Sequence, residues 1–134
     1  MNDYLLDTNH FSPMTIIGHS IEKRVHQQIR FGDTFSVPMV VATETLYGLL
    51  GLPRAKQNLQ TWDDLRVMFN FYDAELTDAE DAAYLQHRLR KEGKQLETVD
   101  ALIAAIAIRY NMILLTTDQD FDHVPNLSVE NWHE

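Results

Sequence analysis

The chain has 134 residues, a formal net charge of −9 and no cysteine. That length suits one domain, residues 1–134, with an ordinary hydrophobic core, and the missing thiols exclude disulfides and thiolate chemistry. The acidic balance argues against a broad basic nucleic-acid surface, but not against a nuclease whose acids hold cations. The opening MNDYLLDTNHF lacks the positive charge and long apolar run of a signal peptide, and no stretch reaches the roughly 20 apolar residues of a membrane span. A cytoplasmic protein with no membrane association is the expectation.

In chain order, residues 4–6 (YLL) form a short apolar run that stops at DTN, the pattern of a buried strand ending at an exposed edge. Ile21, Val25 and Ile29, four apart in IEKRVHQQIRF, predict an amphipathic helix over 21–31 that Gly32 ends. TFSVP predicts a strand, and Pro38 suits the first turn of a helix through MVVATETLYGLL. After Gly51 and Pro53 interrupt the pattern, Leu59, Trp62, Leu65 and Val67 support a helix from Arg54 to Met68, and FNFYDAEL follows as an aromatic-biased strand. Thr77 and Glu80 form a capping-box pattern opening TDAEDAAYLQHRLRKEG, with Gly93 as the C-terminal stop. Acids crowd its start and bases its end, matching the helix dipole, so the run RLRKEGK reads as a helix C-terminus rather than an RNA groove. The alanine-rich 99–110 segment predicts a closely packed helix, MILLTT a buried strand and LSVENW a terminal strand.

Uniformly apolar strands alternating with helices predict a mostly parallel α/β sheet flanked by helices. In such a sheet ligands bind outside the carboxyl ends of the strands. Asp7 and Asp118 each follow a strand directly, and Asp100 opens a helix that leads back into one. Glu44 lies about six residues into its helix, roughly 9 Å along it, interrupting an apolar face between Val41 and Leu46, and its long side chain leans toward the helix start. All four carboxylates therefore point to one edge, where hard divalent cations such as Mg²⁺ or Mn²⁺ would neutralise them. Singly, Asp7 also reads as a turn former and Asp100 as a first-turn acid. Asn9 and Thr116 are candidates to orient a carboxylate or a metal-bound water. Asp120 reads as a helix cap or as an additional acid farther out. The six histidines show no zinc spacing, and no phosphate loop or serine elbow occurs.

YLLDTN, VVATETLYGL, TVDALIAAIAI and ILLTTDQDF together resemble the PIN-domain ribonucleases, and among them the VapC-like toxins of type II toxin–antitoxin pairs. The resemblance covers almost the whole chain, with the four acidic motifs in the family's order. It implies a five-stranded parallel sheet, Mg²⁺- or Mn²⁺-dependent endoribonuclease activity, homodimerisation and inhibition by a cognate antitoxin protein. It places the metal-binding acids at Asp7, Glu44, Asp100 and Asp118, with Asn9 and Thr116 in support and Asp120 in the DxDF pattern. Thr117 departs from the basic or amide residue often found there, and Gly51 to Glu75 matches no motif. Two other readings stand beside this one. A receiver-type Mg²⁺-binding signalling module would need paired acids after the first strand and a lysine near the last, yet Asp7 stands alone and no lysine follows Lys94. A catalytically silent PIN-like binding domain is the other, although here all four acids remain.

Overall fold

The computed structural model describes residues 1–133. Strands β1 (Asp3–Leu6), β2 (Thr34–Pro38), β3 (Asn70–Tyr72), β4 (Ile113–Leu115) and β5 (Ser128–Glu130) form one sheet, every pairing parallel, in the order β3-β2-β1-β4-β5. The apolar runs noted in the sequence are its centre. Leu5, Leu6, Leu114 and Leu115 are all 0% exposed, because β1 and β4 are covered on both faces. The edge strands β3 and β5 are short and only half-buried.

Six α-helices connect and cover the strands: α1 (Thr8–Phe11), α2 (Ser20–Arg30), α3 (Met39–Leu50), α4 (Ala55–Arg66), α5 (Leu76–Lys91) and α6 (Thr98–Arg109). Helix α6 is buried nearly all round, its alanines at 101, 104, 105 and 107 bringing it close to its neighbours while Ile103 and Ile106 fill the gaps. It packs along α5. Phe11 anchors the other side, edge-on to Phe69 at 5.1 Å and to Trp62 at 6.2 Å. No helix among the described residues is long and apolar enough to cross a membrane.

Three local expectations need correction. The segment after Asp7 is not an open edge but a helical turn, α1, followed by a 3₁₀ turn over Ser12–Thr15. The aromatic strand spans only Asn70–Tyr72, and the terminal one only Ser128–Glu130. Helix α5 is capped by Glu75 and Asp78 rather than by Thr77 and Glu80. The physical reason lies in α6: Arg109 reaches back to Glu75 Oε2 at 2.6 Å and Asp78 Oδ2 at 2.8 Å, and Asp78 is fully buried. Asp78 Oδ2 also accepts the Glu75 backbone N–H at 2.9 Å, so one carboxylate closes the cap and the helix pair together.

The chain's last described residues return to the centre. Trp132 packs edge-on against Tyr4 at 5.1 Å and Phe35 at 5.9 Å, with the Arg24 guanidinium 3.8 Å above its ring.

Candidate active site

Asp7 sits where β1 ends, and its backbone N–H still donates to the Leu115 carbonyl of β4 at 3.0 Å. Its two carboxylate oxygens have separate tasks. Oδ1 accepts the Thr8 N–H at 2.9 Å and so caps α1, while Oδ2 accepts the Thr116 hydroxyl at 2.8 Å and a long 3.5 Å contact from the Asn9 amide. Capping and a place in the site are therefore one position, not alternatives. Thr116, buried at the end of β4, also accepts the Asp118 N–H at 3.1 Å. Asp118 in turn caps the 3₁₀ turn Gln119–His123 by accepting the Asp120 N–H at 2.9 Å. Asp118, not Asp120, is thus the cap, and the Asp120 side chain is left exposed.

Asn9 is fixed from behind. Its Oδ1 accepts the Thr117 N–H at 3.1 Å and lies 2.6 Å from His10 Nδ1, and His10 Nε2 accepts the Trp132 N–H at 2.9 Å. An Nε2 that accepts leaves Nδ1 as the donor, so both bonds specify the neutral Nδ1–H tautomer. Burial, followed by the neighbouring His133, lowers the His10 pKa to about 4, consistent with that neutral ring. His10 carries no zinc spacing, and its partner Trp132 is 122 residues away, so no local signal in the sequence marks it.

Asp100 enters from the first turn of α6. Burial, and then the charges of Asp7, Asp118, Glu97 and Asp120, raise its pKa to about 6. The shift records electrostatic convergence of Asp7, Asp100 and Asp118 at the carboxyl edge. Glu44 projects from the exposed face of α3; the buried stripe is Val41, Thr45 and Leu49, so the glutamate does not break it. Instead Glu44 shares a cleft of about 600 Å³ with Asp7, Asn9, Glu97 and Asp100. Asp118 stands beside that cleft. Glu97, at the N-cap position of α6, lines it without having been singled out in the sequence; an exposed acid in a connecting loop gives no pattern to notice.

None of these acids is in an ion pair among the described residues. The Thr8 hydroxyl, on the wall of the same cleft, is buried without a partner. Clustered carboxylate oxygens with no cation beside them are the donor set of a hard divalent ion, so the residues present fit one. No three acidic or histidine side chains among the described residues are already gathered closely enough to hold an ion. Ligation of an ion by these residues would require rotation of at least one side chain, a change common at binding surfaces.

Comparison with known proteins agrees with this geometry. The PIN domain family model matches residues 4–127. Ribonuclease VapC2 of Rickettsia felis is 26% identical over 136 aligned positions, covering 96% of this chain and 97% of the relative. The crystal structure of VapBC2 from Rickettsia felis bound to a promoter DNA fragment contains a chain similar in fold, with TM-score 0.83 and 24% identity over 98% of this chain and 99% of that one. A chain of a toxin-antitoxin complex from Klebsiella pneumoniae gives TM-score 0.73 and 20% identity, covering 98% of each chain.

Proposed function

The chain belongs to the PIN domain family, and on that premise we propose that it is a metal-dependent endoribonuclease, the toxin of a toxin–antitoxin pair, using Mg²⁺ or Mn²⁺. One observation carries the reading: the unpaired carboxylates at the strand ends, whose mutual repulsion and burial raise Asp100 to about 6. Ribonuclease VapC2 as a relative supports the choice of RNA. The VapBC and toxin-antitoxin assemblies of similar fold support an antitoxin protein as partner. A homodimer is supported by apolar side chains that the fold leaves outside, among them Tyr47, Leu50, Leu52 and Val67, which are 80, 53, 56 and 79% exposed.

Asp7, Asp100 and Asp118 would hold the ion, and Glu44, which lines the same cleft, would complete the set. When bound, a divalent ion lowers the pKa of an attacking water and draws charge from the phosphoryl group. The protein's part is orientation. Thr116 fixes Asp7 Oδ2, Asn9 braces the same oxygen, and His10 with the Trp132 backbone fixes Asn9. Asp120 adds negative charge beside the strand ends and lies outside this ligand set. All four acids of the motif are present at the edge, which favours an active nuclease over a silent binding domain, and there is no lysine at the site to favour a receiver module.

Hydrolysis by activated water gives the 2′-hydroxyl no role in attack, so the products carry 5′-phosphate and 3′-hydroxyl ends. Mass spectrometry of an RNA oligonucleotide cleaved in Mg²⁺ or Mn²⁺ should show those ends, and EDTA should abolish cleavage. Cyclic 2′,3′-phosphate ends, or cleavage persisting in EDTA, would defeat the mechanism.

A further inference from the structure

The acidic cleft is one end of a longer depression. Through Glu97 it joins a cavity of about 380 Å³ that Asp120 and His123 also line. Through Gly93, Lys94 and Gln95 that cavity opens into a larger one of about 830 Å³, lined by Arg90 and His87. The three cavities share lining residues in succession, Glu97 between the first two and Gly93, Lys94 and Gln95 between the last two, and so lie side by side from the carboxylates to the end of α5. Along them the charge changes sign.

The basic end is built rather than incidental. Gly93, with φ of +74°, turns the chain sharply after α5. The Gln86 amide then pins the returning segment by donating to the Leu96 carbonyl at 3.0 Å and the Thr98 hydroxyl at 3.2 Å. Lys94 itself closes the end of α5, its N–H donating to the Leu89 carbonyl at 2.9 Å, and lines the cavity together with Arg90. Arg90 has no carboxylate partner among the described residues, and Lys94 has only a loose 3.8 Å contact with Glu92, both side chains substantially exposed. Helix-dipole complementarity explains bases in the last turn of α5. Lys94, three residues past the helix and bonded to its end, adds a second cation that lines both this cavity and the one shared with Glu97 and Asp120.

We infer that this depression is the path of the single-stranded RNA leaving the cleavage site, with Arg90 and Lys94 gripping its backbone phosphates. The assignment rests on the nuclease reading for its substrate. Phosphates are held at the two ends of the path, while between them Glu97 and Asp120 repel phosphate and meet the sugar edge, where a carboxylate accepts from a 2′-hydroxyl. A cationic stretch beside an acidic site lets a protein of net charge −9 bind a polyanion without a broad basic face.

Binding of a fluorescein-labelled single-stranded RNA, followed by anisotropy in Ca²⁺ over a range of KCl, tests the path separately from catalysis. Each backbone contact to a single strand contributes about 0.7 to the slope of log affinity against log salt. The double variant Arg90→Gln/Lys94→Gln should therefore lose about 1.4 from that slope and bind about tenfold more weakly. Lys94→Glu should weaken binding strongly, whereas Arg30→Glu, the same charge change at the opposite edge of the sheet, should leave it within about twofold. Unchanged slope and affinity in the double variant, in a protein whose wild type cleaves RNA, would overturn the path and leave the nuclease reading standing. Equal losses in Lys94→Glu and Arg30→Glu would also overturn it. Wild type that binds RNA through Arg90 and Lys94 yet never cleaves it would remove the nuclease reading and keep the path, and no binding by wild type would remove both.

Discussion

Helix α6 carries an acidic cluster near each end, and the two have opposite fates. At its finish Arg109 neutralises Glu75 and the fully buried Asp78, joining α6 to the start of α5. At its start Asp100 meets Asp7, Asp118, Glu97 and Asp120, none of them in an ion pair among the described residues. The same side-chain type is thus a fastener where a guanidinium answers it and a candidate ligand donor where no ion pair forms. Burial alone does not separate the two, since Asp78 is the more buried; the identity of the neighbours does.

Substituting one acid from each cluster separates them most sharply. Asp100→Asn should lower metal-dependent RNA cleavage by on the order of a thousandfold or more. The metal-free variant should melt no lower than metal-free wild type, since repulsion is relieved, and should lose the rise in Tm that wild type gains from Mn²⁺. A variant that cleaves normally would remove Asp100 from the ligand set. Asp78→Ala should do the reverse, costing about 2 kcal/mol of stability through the lost cap and pair while cleavage at a temperature where it is folded stays near wild type. Urea titration and activity on the same preparation check both halves.

Acidity gives a smaller and graded contrast. Asp100 binds its proton more readily folded, at about 6, than at its ordinary 3.8. Its contribution to metal-free stability is therefore absent well above pH 6 and grows as pH falls from about 6 toward 3.8. Metal binding needs the carboxylate and competes with its proton, so at sub-saturating metal activity should move the other way, falling by up to about tenfold per unit below pH 6. Thermal melts and initial rates across this range, with Asp100→Asn as the flat reference for stability, measure the two slopes.

Much of this was legible in the sequence because it follows from local rules. The apolar runs at 4–6 and 113–115 announced central strands, and the rule that parallel strands present ligands at their carboxyl ends placed Asp7 and Asp118 at one edge. Helix direction added Asp100. What escaped notice depends on long-range partners. Thr77 and Glu80 lose to Glu75 and Asp78 as the capping pair because Arg109, more than thirty residues later, makes the choice. Helix α1 has four residues, too few for any periodicity to show. The basic run from Arg88 fits a helix terminus as expected, but only folding reveals that Lys94 and Arg90 line one cavity.

The order in which the chain is made acquires meaning from one pairing. β1 lies between β2 and β4, and the oxygen of Asp7 that faces the site is fixed by the hydroxyl of Thr116, 109 residues downstream. At translation rates of about 5–20 residues per second, roughly 5–22 s pass between the synthesis of these two residues. Throughout that interval the nascent chain has neither its central strand pair nor Asp118. The candidate site is therefore complete only once the last sixth of the chain has joined the first.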